Sequence, residues 1–134
     1  MRKVLIACVF LAGFYSCKQT DEPLRTRLTG SDSVVINFYQ GRGMELVSAV
    51  AVIRSRGQLD SLALEASSAK TDVQKGCLYS ASLHFFKKNQ VQASLYLSDS
   101  CQLLQNESGA TKASGYVLQQ VTQAQRTARP APKQ

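Results

Sequence analysis

The chain has 134 residues, 44% of them apolar and 19% charged, the composition of a single globular domain with a modest core. Sixteen Lys and Arg against nine Asp and Glu give a formal charge of +7. The basic residues are scattered rather than gathered into a stripe, and no aromatic stacking platform accompanies them, which argues against nucleic acid as a partner.

At the start, Arg2 and Lys3 form a positive cap on an apolar run from Val4 to Tyr15. The run is too short to cross a bilayer core of roughly 30 Å as a helix, and it ends in a small residue before a polar break. That arrangement predicts a secretory signal peptide over residues 1–16. The end of the run, Phe14-Tyr15-Ser16-Cys17, resembles the lipobox of bacterial lipoproteins. A second such sequence, Leu5-Ile6-Ala7-Cys8, has too few apolar residues before its cysteine. The resemblance implies that the Cys17 thiol is acylated and that Cys17 becomes the first residue of the mature chain. It implies a membrane partner through the lipid anchor, and attachment to the outer membrane on its periplasmic or cell-surface side. Each buried methylene is worth about 0.8 kcal/mol, so two or three acyl chains make the attachment effectively permanent.

Four cysteines are present. With Cys8 removed and Cys17 acylated, Cys77 and Cys101 remain as an even pair in an oxidising compartment, and a disulfide between them is expected. A thiolate metal site is disfavoured, because the chain has one histidine and no Cys-x-x-Cys spacing. No metal or cofactor is expected.

Residues 17–32 are predicted to be the lipidated cysteine and a flexible tether: polar, with Pro23 and Gly30 and no apolar periodicity. The opening Lys18-Gln19-Thr20-Asp21-Glu22 is similar to the sorting signal that sends some lipoproteins to the cell surface. A single domain is expected over residues 33–126. Residues 33–40, rich in β-branched and aromatic side chains, predict a strand, and Gly41-Arg42-Gly43 a turn. A dinucleotide-binding loop is rejected at Gly41 and Gly43, for the third glycine and the distal acidic residue are missing. Residues 44–55 fit either a helix or a buried strand; the valine density favours a strand over 47–54. Leu59, Leu62, Ala63 and Ala66 recur at helical spacing and predict a helix over 58–67, followed by a polar loop to Lys75.

The pattern then changes to strict alternation. Cys77, Tyr79, Ala81, Leu83 and Phe85 share one face of a strand, and Val91, Ala93, Leu95 and Leu97 one face of the next. The polar break of residues 87–90 makes the two a hairpin. Pairing Leu83 with Leu95 and Ala81 with Leu97 leaves a three-residue loop, 88–90, and sets Cys77 opposite Cys101. Opposite Cα atoms on paired strands lie about 4.5–5.5 Å apart, within disulfide reach. Residues 102–105 are expected to continue as strand, 106–109 to turn, and 110–113 to return as a short strand. Ser114 can cap a helix that presents Val117, Leu118, Val121 and Ala124 on one side. Residues 127–134, with Pro130 and Pro132, are expected to be a disordered tail.

The predicted fold class is α+β: an antiparallel sheet built on a long disulfide-linked hairpin, with two helices packed on one face. No catalytic constellation stands out. His84 shares a face with Ser80, Ser82 and Phe86, and a triad would have to recruit Asp72 or Asp99, without a Gly-x-Ser-x-Gly elbow. The carboxylates Asp32, Glu45, Asp60, Glu65, Asp72, Asp99 and Glu107 form no paired motif. Tyr39, Tyr96, Phe86 and His84 are candidates for a partner surface, but packing beneath the helices accounts equally well for Phe86 and Tyr96 and is the expected role of both. The expectation is a lipid-anchored envelope protein without catalytic activity that binds an envelope partner. The alternative is an inhibitor of an exported hydrolase, acting through the loop at residues 40–44 or 87–90.

Overall fold

A computed structural model describes residues 22–41, 44 and 46–133. The expected signal peptide, Cys17 and its proposed acylation, residues 18–21 of the tether, and Arg42, Gly43 and Glu45 lie outside the described residues. The elements run α1 (Glu22–Leu28), β1 (Ser33–Tyr39), β2 (Val47–Ile53), α2 (Arg56–Ala66), β3 (Lys70–Thr71), β4 (Ala81–Lys87), β5 (Gln90–Ser98), β6 (Leu103–Asn106), β7 (Gly109–Lys112), α3 (Gly115–Thr127) and β8 (Arg129–Pro130). The strands form one sheet in the order β3-β7-β6-β5-β4-β1-β2-β8, and every neighbouring pair is antiparallel. The fold is therefore α+β.

Strand alternation sorts the sheet into two faces. On the inner face lie Val34, Ile36 and Phe38 of β1, Ala51 and Ile53 of β2, Ala81, Leu83 and Phe85 of β4, and Ala93, Leu95 and Leu97 of β5, all buried. These side chains form one core cluster with Leu24 and Leu28 of α1, Leu59, Leu62, Ala63 and Ala66 of α2, and Val117, Val121 and Ala124 of α3. The end of α2 is tied to the sheet by polar contacts: Thr111 Oγ1 donates to the Ala66 carbonyl at 2.8 Å, and Lys112 N–H to that of Ala69 at 2.8 Å. Ser114 caps α3 by accepting from Val117 N–H at 3.3 Å.

The hairpin of β4 and β5 pairs Ala81 with Leu97, Leu83 with Leu95 and Phe85 with Ala93. At Phe85 and Phe86 a bulge slips the register by one, so that Phe86 faces Val91 and Lys87 faces Gln90. The connection is thus two residues, Lys88 and Asn89, in place of the expected three. Their φ values of 50° and 63° are those that a tight two-residue hairpin turn demands. At the other end β4 starts at Ala81, so Cys77 to Ser80 is an irregular lead-in rather than strand.

Four further stretches depart from expectation. Glu22–Leu28, expected as part of the tether, forms α1. Leu24 and Leu28, four residues apart on one side, are both buried, and Pro23 sits in the first turn, where its missing N–H is harmless. Residues 102–105 do not prolong β5. The chain reverses through residues 99–102, with Gln102 at φ 52°, and β6 returns antiparallel, Tyr96 opposite Gln105. The loop after α2 contains β3, which pairs with β7. The tail contains β8, with Arg129 opposite Val50, Pro130 opposite Ala49, and Ala131 N–H donating to the Ser48 carbonyl at 3.1 Å.

Candidate functional site

The face of the sheet turned away from the core carries a connected polar network. Across its centre Val35 stands opposite His84 and His84 opposite Ser94, while Asn37 stands opposite Ser82 and Ser82 opposite Tyr96. Tyr39 OH donates to Ser82 Oγ at 2.8 Å; Ser82 Oγ lies 2.9 Å from His84 Nε2; His84 Nδ1 lies 2.7 Å from Ser94 Oγ. Both ring nitrogens of His84 are thus within hydrogen-bond distance of a serine hydroxyl. Burial holds the His84 pKa below its ordinary 6.5.

Ser82 is completely buried, whereas His84 and Ser94 are half-buried. A buried hydroxyl is out of reach of a substrate. Asp72 and Asp99, the carboxylates a triad would recruit, are exposed, and the His84 ring nitrogens are held by serines instead. Phe86 and Tyr96 lie on this same outer face, and the helix-covered positions beside them are Phe85, Leu95 and Leu97. The packing beneath the helices considered for Phe86 and Tyr96 is therefore replaced by half-burial on the open face, together with Tyr39 and His84.

One end of the outer face is covered. Tyr79, in the lead-in to β4, sets its ring edge-on to Tyr96 with centroids 5.9 Å apart, and its hydroxyl donates to the Gln105 side-chain carbonyl. Such a ring pair contributes about 0.5–1.5 kcal/mol beyond its buried area. Beside it, Cys77 and Cys101 form a disulfide with Cα atoms 5.9 Å apart, joining the lead-in to the β5–β6 turn. Alternation and cysteine count had pointed to this pair. The Tyr39–Ser82–His84–Ser94 network had a weaker signal in the sequence: alternating small polar residues around one histidine, equally compatible with a solvated face.

The other residues considered earlier are dispersed. Asp32 accepts from Lys88 N–H at 2.8 Å and so pins the β4–β5 turn, whose residues 87–90 are all exposed. Asp60 pairs with Arg56 at 3.7 Å on the exposed side of α2. Asn106 accepts from Ser108 N–H at 2.9 Å, which closes its turn. Among the described residues no cluster of three or more His, Cys, Asp or Glu is disposed to hold a metal, and no helix is long and apolar enough to cross a membrane. No protein-family model matches the chain, and comparison with curated proteins and with solved structures finds no match.

Proposed function

We propose that the protein is a lipid-anchored component of the bacterial cell envelope that binds a partner and has no catalytic activity. The observation that carries the reading is the Cys77–Cys101 disulfide, a bond that persists in exported compartments and accords with the signal sequence ending at Cys17. In this reading Cys17 is acylated, and the domain sits on the outer membrane, on its periplasmic or cell-surface side. The short distance from Cys17 to α1 has a geometric consequence. Even fully extended, the chain between Cys17 and Glu22 spans at most about 18 Å, so the domain rides close to the bilayer.

The outer sheet face supports binding rather than catalysis. Ser82 is buried, burial lowers the His84 pKa, and both ring nitrogens of His84 lie within hydrogen-bond distance of serine hydroxyls. Tyr39, Tyr96, Phe86 and His84 offer aromatic surface of the kind enriched at binding hot spots. The test is the intact mass of the protein purified from membranes, with and without reduction and thiol alkylation. A chain starting at Cys17, carrying acyl mass and gaining two alkylated thiols only after reduction, supports the reading. A chain starting at Met1 with free thiols removes it.

A second reading, inhibition of an exported hydrolase, is favoured by the β4–β5 turn. It is a short, exposed loop with its backbone pinned by Asp32, and a preorganised loop loses little freedom on entering a cleft. Assaying a panel of purified exported proteases and muramidases with added protein decides it; unchanged rates throughout discard the idea.

A further inference from the structure

The sheet ends unevenly at β2. Ser48 directs its carbonyl outward to Ala131, and Val50 stands opposite Arg129. Backbone groups of successive residues in an antiparallel strand point to opposite edges, so Val52 presents its N–H and C=O groups to the same outer edge as Ser48 and Val50, and Arg54 follows just beyond the end of β2. Among the described residues, no strand pairs with this part of the edge. β8 begins at Arg129, and the residue before it, Ala128, turns its N–H back to Gln125 of α3 at 3.3 Å. Among the described residues, the half of the β2 edge beyond Val50 has no strand beside it.

Beside this open half runs a groove of about 580 Å³. One wall is β2 and the other is formed by Gln120, Gln123 and Thr127 of α3, with Gln58 at one end. The charged residues of its lining are Arg54 and Arg129, and no carboxylate is among the lining residues. By the strand alternation Arg54 and Arg129 share the outer face with Val52, which is 46% exposed, while Ala51, Ile53 and Ala124 supply an apolar inner floor.

We propose that this edge binds an extended peptide segment of a partner protein, one that carries carboxylates on one face and adds to the sheet as a strand alongside residues 50–54. Main-chain hydrogen bonds to Val52 and Arg54 would hold the segment, and side chains on alternate positions would select it. Positions on the outer face meet Arg54 and Arg129 and favour Asp or Glu. Positions on the inner face meet Ala51, Ile53 and the glutamines of α3 and favour small apolar residues. A second copy of this chain fits less well, because a two-fold pairing of β2 with β2 would bring both sets of arginines together. The inference depends neither on the lipid anchor nor on the aromatic outer face.

The test uses the full chain and four fluorescein-labelled peptides, followed by fluorescence anisotropy: a hexapeptide of alternating Glu and Val, its Lys–Val counterpart, and two Glu–Val peptides N-methylated at alternate amides in opposite phases, one along each edge. The Glu–Val peptide is expected to bind, and the Lys–Val peptide to bind at least about tenfold more weakly. N-methylation in one phase should abolish binding and in the other leave it intact, which distinguishes strand addition from charge attraction alone. The variant R54E/R129E, with its fold checked by circular dichroism, should reverse the preference towards Lys–Val. Equal binding of the two unmodified peptides, indifference to N-methylation in both phases, or an unchanged preference in R54E/R129E overturns the proposal. So does sedimentation showing a dimer that the Glu–Val peptide fails to dissociate.

Discussion

His84 is the only histidine in the chain, so its titration can be followed without assignment. Burial lowers its folded pKa below 6.5, while the unfolded chain keeps the ordinary value. Between those two values the unfolded state binds more protons than the folded one, so stability rises with pH across that window. The contribution is complete above the unfolded pKa, falls as pH drops towards the folded pKa, and levels off below it. The proton NMR midpoint of the His84 ring should therefore lie below 6.5. Urea unfolding should show a smaller loss between pH 7.5 and 5 in His84→Gln than in the wild type. A ring that titrates at or above 6.5 would mean that the network stabilises imidazolium. The same network sets the role of Tyr39. Tyr39→Phe keeps the ring and removes one hydrogen bond to buried Ser82, and should cost about 1 kcal/mol in urea unfolding.

α1 shows why some elements were legible in the sequence and others were not. β4 and β5 announce themselves through many consecutive alternations, and α3 through a capping Ser114 followed by a periodic apolar stripe. α1 has seven residues and only two apolar positions, Leu24 and Leu28, inside a polar stretch; a period cannot be established from two points. β3 and β8 are two residues each, and their existence depends on where β7 and β2 end in space rather than on any local preference. The turn between β4 and β5 is one residue shorter than alternation implies, because the bulge after Phe85 leaves no mark on the apolar pattern. The outer network has the opposite character: its residues stand out in the sequence, but the bonds that link them depend on a register that composition does not carry. The place of α1 in the core makes a direct prediction. Leu28 is 1% exposed, so Leu28→Ala should cost about 2–5 kcal/mol by urea unfolding, where a tether residue would cost nothing measurable. Ser114→Ala, which removes the α3 cap, should cost about 1 kcal/mol.

At the scale of the whole molecule, the sheet is asymmetric. One face carries the buried apolar residues that cluster with those of the helices, and the other carries half-buried residues, with the disulfide and Tyr79 over the end near β6. The outermost strands, β3 and β8, are two residues long, and β8 carries Pro130; short edges with proline discourage unplanned pairing. The disulfide does more than seal one end. It closes a loop with a sequence separation of 24 that contains the whole β4–β5 hairpin, on which the sheet's central pairings depend. In chain-entropy terms a cross-link of this size restricts the unfolded state by roughly 3–4 kcal/mol. Little of that benefit comes from contacts in the fold, because both cysteines are only half-buried. The double variant C77A/C101A should therefore keep the native circular dichroism spectrum while its urea midpoint falls by an amount corresponding to roughly 3–4 kcal/mol. Its m-value should rise, since an unfolded chain freed of the cross-link exposes more surface. A variant that loses the midpoint without a change in m would locate the effect in the folded state, in the packing of Tyr79 against Tyr96, and Tyr79→Ala alone would then reproduce most of the loss.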